Sequence, residues 1–214
     1  SVEITATETI DIEGRGQFYE QTGALRDIVQ GHLLQLLSLV LMRPVSIDSF
    51  EQLPEHRLQA LRTLETAEPR DSVRAQYIGY DEEVQNPGST TETFVSMVLQ
   101  SSDSRWLNVP IRIVTGKALH EKKTAITIHY KDGSKDIFVE GEVQSSMDGL
   151  SEAYERVLVQ AMLGQKALFT TGDEIIEAWR VVAAVQKAWA MNDIPLQRYE
   201  KGQHASHIHL QRYI

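Results

Sequence analysis

The sequence predicts a chain of mixed helices and strands, and three stretches carry that prediction. Apolar residues recur at helical spacing through 24–42, a block rich in β-branched and aromatic residues fills 90–133, and helical periodicity returns over 151–191. Strand signals and helix signals therefore alternate along the chain in blocks.

The first element is a strand. Val2, Ile4 and Ala6 alternate with polar residues over Val2 to Ile10, the pattern of an edge or half-buried strand, with Glu8 near its end. Gly23 then breaks a turn, and Leu25, Ile28, Val29, Leu33, Leu36, Leu37 and Val40 follow with no proline before Pro44. After Leu33 only Gln35 and Ser38 interrupt the apolar run, so this half belongs in a core. Arg26, Asp27, Gln30 and His32 lead into it. On an α-helix, Asp27 and His32 stand about one and a half turns apart, with about 7.5 Å of rise between them.

Pro54 and the leucines at 58, 61 and 64 mark a short amphipathic helix, and Pro69 closes it. An acidic loop from Gly79 to Ser89 contains the turn signal Pro87-Gly88. The block from Thr90 to Gly133 reads as three or four antiparallel strands, with turns near Asp103 and at Asp132-Gly133. Tyr154, Val157, Leu158 and Ala161 share a face of the next helix and read as core residues. Asp173 is placed to cap a last helix that runs to about Met191, with Trp179 and Trp189 toward its buried side. The end of the chain carries His204, His207 and His209, a spacing that could hold a transition metal but more often marks an irregular tail.

Composition bounds the function. The 214 residues are 42% hydrophobic and 24% charged, ordinary values for a globular chain, and the net charge of −9 argues against general binding to nucleic acid or anionic membranes. Any anion site must be a local cluster of cations. There is no cysteine, which fits a cytoplasmic setting. The run Leu33 to Met42 is too short and interrupted to span a bilayer.

Several motifs together resemble the glucose-6-phosphate dehydrogenase family. They are E-G-R-G at 13–16, the aromatic pair Phe18-Tyr19, and G-x-x-R-D-x-x-Q-x-H-L-L-Q from Gly23 to Gln35, with Gly31 in place of the family's asparagine. Further along come G-S-T-T-E-T-F at 88–94, R-W-x-x-V-P at 105–110, T-G-K-A-L-x-x-K at 115–122, A-Y-E-R near 153 and A-W-R at 178–180. Arg74, Ala75, Gln76 and Tyr77 stand where the family has R-G-Q-Y, and Val114 replaces the arginine of R-T-G-K. The connection 131–150 is shorter than the family pattern.

The resemblance implies an α+β fold, a large, mainly antiparallel β-sheet with helices packed on one face, spanning 1–214 as a single substrate-side and oligomerisation domain. It implies that His32 is the general base taking the C1 hydroxyl proton of glucose 6-phosphate, and that Glu8 and Asp27 bind sugar hydroxyls. Lys117 and Lys122 would lie on the sugar-phosphate side of the pocket, each suited to a phosphate or a hydroxyl. Without the resemblance, both lysines read as solvated loop residues and His32 as a hydrogen-bonded structural histidine. NADP would be the hydride acceptor, yielding 6-phosphogluconolactone in the first step of the pentose phosphate pathway. Neither a glycine-rich dinucleotide fingerprint nor the family's R-I-D-H-Y-L-G-K motif occurs in this sequence. The expectation is a C-terminal domain, inactive alone, whose NADP site lies mainly on a separate N-terminal domain and which forms a homodimer or tetramer through its sheet. A shortened, non-catalytic relative serving assembly or regulation is the alternative.

Overall fold

The computed structural model describes residues 1–139 and 153–208. Strand β1 (Val2–Thr7) buries Val2, Ile4 and Thr7, and Glu3 and Thr5 between them stay half-exposed. It is followed by α1 (Gly16–Ala24), a π-helical run at Leu25–Leu33, α2 (Leu34–Leu41) and α3 (Leu53–Thr63). Strand β2 (Ser72–Tyr77) leads through a short helix α4 (Tyr80–Glu83) to β3 (Phe94–Leu99), β4 (Ile111–Gly116), β5 (Lys123–His129) and β6 (Lys135–Val139). Helices α5 (Ala153–Met162) and α6 (Gly172–Ala190) precede β7 (Leu196–Tyr199).

The seven strands form one sheet in the order β6-β5-β1-β4-β3-β2-β7. Pairs β1–β5, β2–β3, β3–β4 and β5–β6 are antiparallel, whereas β1–β4 and β2–β7 run parallel. The sheet is thus mainly antiparallel, as expected. Strand β1 is the half-buried strand of the two alternatives and not an edge strand: it lies between β5 and β4, in register with β4 from Val2 opposite Ile111 to Thr7 opposite Gly116. Its alternation reflects a sheet with one helix-covered face, which central and edge strands share. A further strand, β7, for which the sequence carried no signal, extends the sheet beside the fully buried β2.

The helix run from Gly16 to Leu41 is long and apolar enough, at mean hydropathy 1.2, to cross a membrane by composition. Half of that window is buried inside the fold. Val29, Leu33, Leu34, Leu37 and Leu41 join a core with Ile4 and Ile113 of the sheet and Val181, Val182 and Val185 of α6. Those contacts account for its apolarity.

Two expectations about the last helices are corrected. Thr171, not Asp173, caps α6: its hydroxyl accepts from the Glu174 N–H at 3.3 Å while the Glu174 carboxylate accepts from the Thr171 N–H at 2.8 Å. Glu174 completes the capping box that Asp173, one residue earlier, cannot reach. On α5, Val157 and Leu158 are 53% and 62% exposed rather than in the core, and Ala161 is exposed as well. Helical periodicity defines an apolar face without saying what covers it. The side chain of Tyr154 lies outside the described residues. Trp189 is buried in α6 and Trp179 is packed partly against the core, as the periodicity suggests.

A buried ion pair ties α3 to α6. The Arg57 guanidinium donates to Glu174 at 2.7 and 3.3 Å and to the carbonyls of Ala167 and Phe169 at 2.8 Å each. Removing one partner leaves the other buried and uncompensated, so Arg57→Ala should cost about 3–5 kcal/mol of unfolding free energy. Equilibrium denaturation in urea checks it, and a loss below about 1 kcal/mol would contradict the pair's assigned role.

Candidate active site

Parallel strands end on the same edge of a sheet, so β1 and β4 deliver their next residues, Glu8 and Lys117, side by side. The Glu8 N–H donates to the Gly116 carbonyl at 2.9 Å, and the Leu119 N–H returns a bond to the Glu8 carbonyl at 2.9 Å. The Lys117 ammonium forms an ion pair with the Glu8 carboxylate. Lys117 is only 4% exposed, and a lysine this deep requires such a partner. Its backbone is pinned as well: the Tyr199 hydroxyl from β7 donates to the Lys117 carbonyl at 2.6 Å, and the Lys117 N–H donates to the Thr93 carbonyl at 3.0 Å.

Above this pair lies a cavity of about 340 Å³, in the size range of small-molecule sites. Glu8, Lys117 and Lys122 line it from the sheet side, and Tyr19, Ile28, His32 and Leu36 from the helix side. His32 and Lys122 are exposed, as groups open to a ligand must be. The wall thus combines a histidine, two lysines and a carboxylate over an apolar floor. That set can hold a polyhydroxylated anion and move a proton at its edge.

The helix that carries His32 is not an ordinary α-helix. Residues 25–33 follow i→i+5 hydrogen bonding, so Asp27 and His32 stand about one turn apart rather than one and a half. Gly23 makes the entry to that segment possible, with φ 65° and ψ 170°, a region that L side chains rarely adopt. Asp27 is half-buried, and its charge reaches the Tyr19 hydroxyl, but it is absent from the cavity wall. Of the five residues singled out in the sequence, the structure gathers Glu8, His32, Lys117 and Lys122 on one cavity and leaves Asp27 beside it.

Sequence reasoning passed over Tyr19, Glu92 and Tyr199. Tyr19 is 2% exposed, its hydroxyl lacks a partner among the described residues, and the Lys117 ammonium lies 5.6 Å from its ring. Burial, followed by the charge of Glu92, pushes its ionisation well up. Glu92 accepts from the Leu25 N–H at 2.9 Å. Burial pushes its carboxyl up to about 7, against the opposing pull of that hydrogen bond and of the Arg26 and Arg74 charges. Both Tyr19 and Glu92 sit within motifs already noted, the aromatic pair and G-S-T-T-E-T-F. Tyr199 had no local signal.

The C-terminal histidines stand elsewhere. The rings of His120 and His204 lie 3.8 Å apart and those of His204 and His207 5.4 Å apart, while His209 lies outside the described residues. Among the described residues no group of three or more side chains could hold a metal ion.

The model of the family described as "Glucose-6-phosphate dehydrogenase, C-terminal domain" matches residues 1–150 and 139–211. The chain belongs to this family. The two matched segments overlap within 139–150, inside the connection that is short by the family pattern. Glucose-6-phosphate 1-dehydrogenase of Dickeya dadantii is 30% identical over 261 residues, covering 94% of this chain and 53% of the relative. That of Borreliella burgdorferi is 32% identical over 258 residues, with the same coverage. A crystal structure of the Mycobacterium avium glucose-6-phosphate 1-dehydrogenase superposes with a TM-score of 0.75 at 30% identity, over 95% of this chain and 52% of that one. A glucose-6-phosphate dehydrogenase in complex with its substrate glucose-6-phosphate shares the fold, with a TM-score of 0.79 at 23% identity. The chain spans about half the length of these relatives.

The raised Glu92 carboxyl has a stability consequence. Its folded value of about 7 lies above the ordinary 4.5, so the fold favours the neutral form. That contribution is complete below about 4.5 and is lost as pH rises through about 7. Glu92→Gln removes the titration. The wild type should therefore lose on the order of 1–3 kcal/mol relative to Glu92→Gln between about pH 5 and about pH 8. Denaturation curves at the two pH values check it, and parallel behaviour of the two proteins would refute it.

Proposed function

We propose that this chain is the substrate-side, C-terminal domain of an NADP-dependent glucose-6-phosphate dehydrogenase, which oxidises the sugar at C1 to 6-phosphogluconolactone. The observation that carries the reading is the meeting of His32, Glu8, Lys117 and Lys122 on one cavity, in a chain of that family.

The chain's residues divide the work by chemistry. Lys122, exposed and flexible at the rim, meets the phosphate as a point charge. Lys117 and Glu8, already bonded to each other, form a fixed donor and acceptor pair for sugar hydroxyls. The imidazole of His32 accepts the C1 hydroxyl proton, a task suited to a group whose ordinary value lies near about 6.5. Asp27, about one π-turn earlier and beside the cavity, is assigned a sugar hydroxyl at its edge by the family resemblance. NADP supplies the hydride acceptor when bound. The described residues do not fit its pyrophosphate, because the turn from β1 into α1 holds Glu8 and E-G-R-G where a three-glycine cradle would stand. We assign the coenzyme to an N-terminal domain outside this chain.

Association through the sheet into a homodimer or tetramer belongs to the same reading. Ile137 and Phe138 on β6 are 45% and 55% exposed, apolar area suited to a second copy. A cytoplasmic setting accords with the absence of cysteine.

The test is reduction of NADP by the complete protein on addition of glucose 6-phosphate. Wild-type turnover is expected, with His32→Ala lowering kcat by about 10²–10⁴-fold. Near-normal kcat in His32→Ala would remove the base assignment. Absence of turnover in the wild type would favour the non-catalytic reading, which the short 131–150 connection already motivates.

A further inference from the structure

Residues 92 and 93 join the two sides of the candidate site. The Ala24 N–H donates to the Glu92 carbonyl at 3.0 Å and the Leu25 N–H to its side-chain carboxyl at 2.9 Å, so one residue holds two successive amides at the start of the His32 helix. Thr93 accepts the Lys117 N–H at its carbonyl at 3.0 Å, and its hydroxyl lies 2.9 Å from the Tyr199 hydroxyl that supports Lys117. Gly23 closes the joint from the other side: a Cβ there would lie 2.4 Å from the nearer Glu92 carboxylate oxygen and 2.8 Å from the other. The backbone at Gly23 and the carboxyl of Glu92 therefore fit only each other.

A helix cap alone needs less. Amides at a helix start are usually satisfied by a neighbouring hydroxyl or carboxylate on the same segment. Here the acceptor comes from 67 residues further along the chain, where the next residue already holds Lys117. The arrangement fixes the rotation and depth of the π-helical run relative to the sheet edge.

We propose that Glu92 is a positioning residue for the dehydrogenase reaction, setting the approach of His32 to a sugar held at Glu8 and Lys117. This inference rests on the functional reading above. It assigns to Glu92 the step that depends on His32 geometry and leaves to the Glu8–Lys117 pair the holding of the substrate. The raised carboxyl is consistent with such enclosure, since a neutral side chain keeps its carbonyl oxygen as an acceptor for Leu25.

The experiment compares Glu92→Ala, Glu92→Gln and Glu92→Asp in the complete enzyme, with glucose 6-phosphate and NADP, near neutral pH. Glu92→Ala loses the acceptor and Glu92→Asp is one methylene too short to reach Leu25. Both should lower kcat by about tenfold to hundredfold while KM for glucose 6-phosphate stays within about threefold. Glu92→Gln retains the acceptor and should keep kcat within about threefold of wild type. Hydrogen exchange of the amides at 24–29 should quicken in the alanine and aspartate variants and not in the glutamine variant. Unchanged kcat in both the alanine and aspartate variants, equal loss in the glutamine variant, or a change confined to KM would overturn the proposal. The exchange measurement does not use turnover. An inactive wild type would therefore overturn the functional reading, while unchanged exchange in the variants would separately overturn the joint at Glu92.

Discussion

The parallel pairing of β1 with β4 is the constraint on which the site depends. Parallel neighbours end at the same edge, and the register from Val2–Ile111 to Thr7–Gly116 leaves Glu8 and Lys117 as the first residues beyond it. Parallel strands also need a long crossover. Here the connection from β1 to β4 contains the apolar helix run, which packs against one face of the sheet, then α3, and the strands β2 and β3, which lie in the sheet itself. The same crossover brings His32 back over the strand ends. A ligand cavity at the carboxyl end of parallel strands follows the general rule for sheets of this kind.

Lys117 is the residue that this geometry makes costly and useful. A buried ammonium is tolerated because Glu8 faces it and because Tyr199 and Thr93 hold its backbone. Three strands therefore contribute to one charge: Glu8 follows the last residue of β1, Thr93 precedes the first residue of β3, and β7 carries Tyr199. The terminal strand β7 is part of the support of the site, although it lies at the far edge of the sheet.

Much of this was legible in the residues, and the failures have physical causes. The apolar helix, the hairpin turn at Asp132-Gly133 and the strands of 94–129 follow from periodicity and turn chemistry. The position of β1 did not, because alternation reports which face is buried and says nothing about neighbours in the sheet. The π-helical run escaped too. Its apolar residues satisfy an α-helical spacing well enough, and the i→i+5 bonding begins where Gly23 meets Glu92, 69 residues apart in sequence. Glu8, His32, Lys117 and Lys122 were found through motif resemblance and proved to share one cavity. Tyr199 could not be found this way, since its role depends on a parallel strand pairing far from any motif. Asp27 matched its motif and stands about one π-turn from His32, yet it lies beside the cavity rather than on its wall.

The central claim is that the Glu8–Lys117 pair and the His32 helix form a preassembled part of a sugar-phosphate site. The most direct measurement is calorimetric titration of the protein with glucose 6-phosphate, repeated with Lys117→Ala and with glucose alone. Saturable binding of glucose 6-phosphate, weaker binding of glucose, and loss of both in Lys117→Ala is the expected result. Equal heats for the wild type and Lys117→Ala, or no heat from glucose 6-phosphate, would contradict the claim.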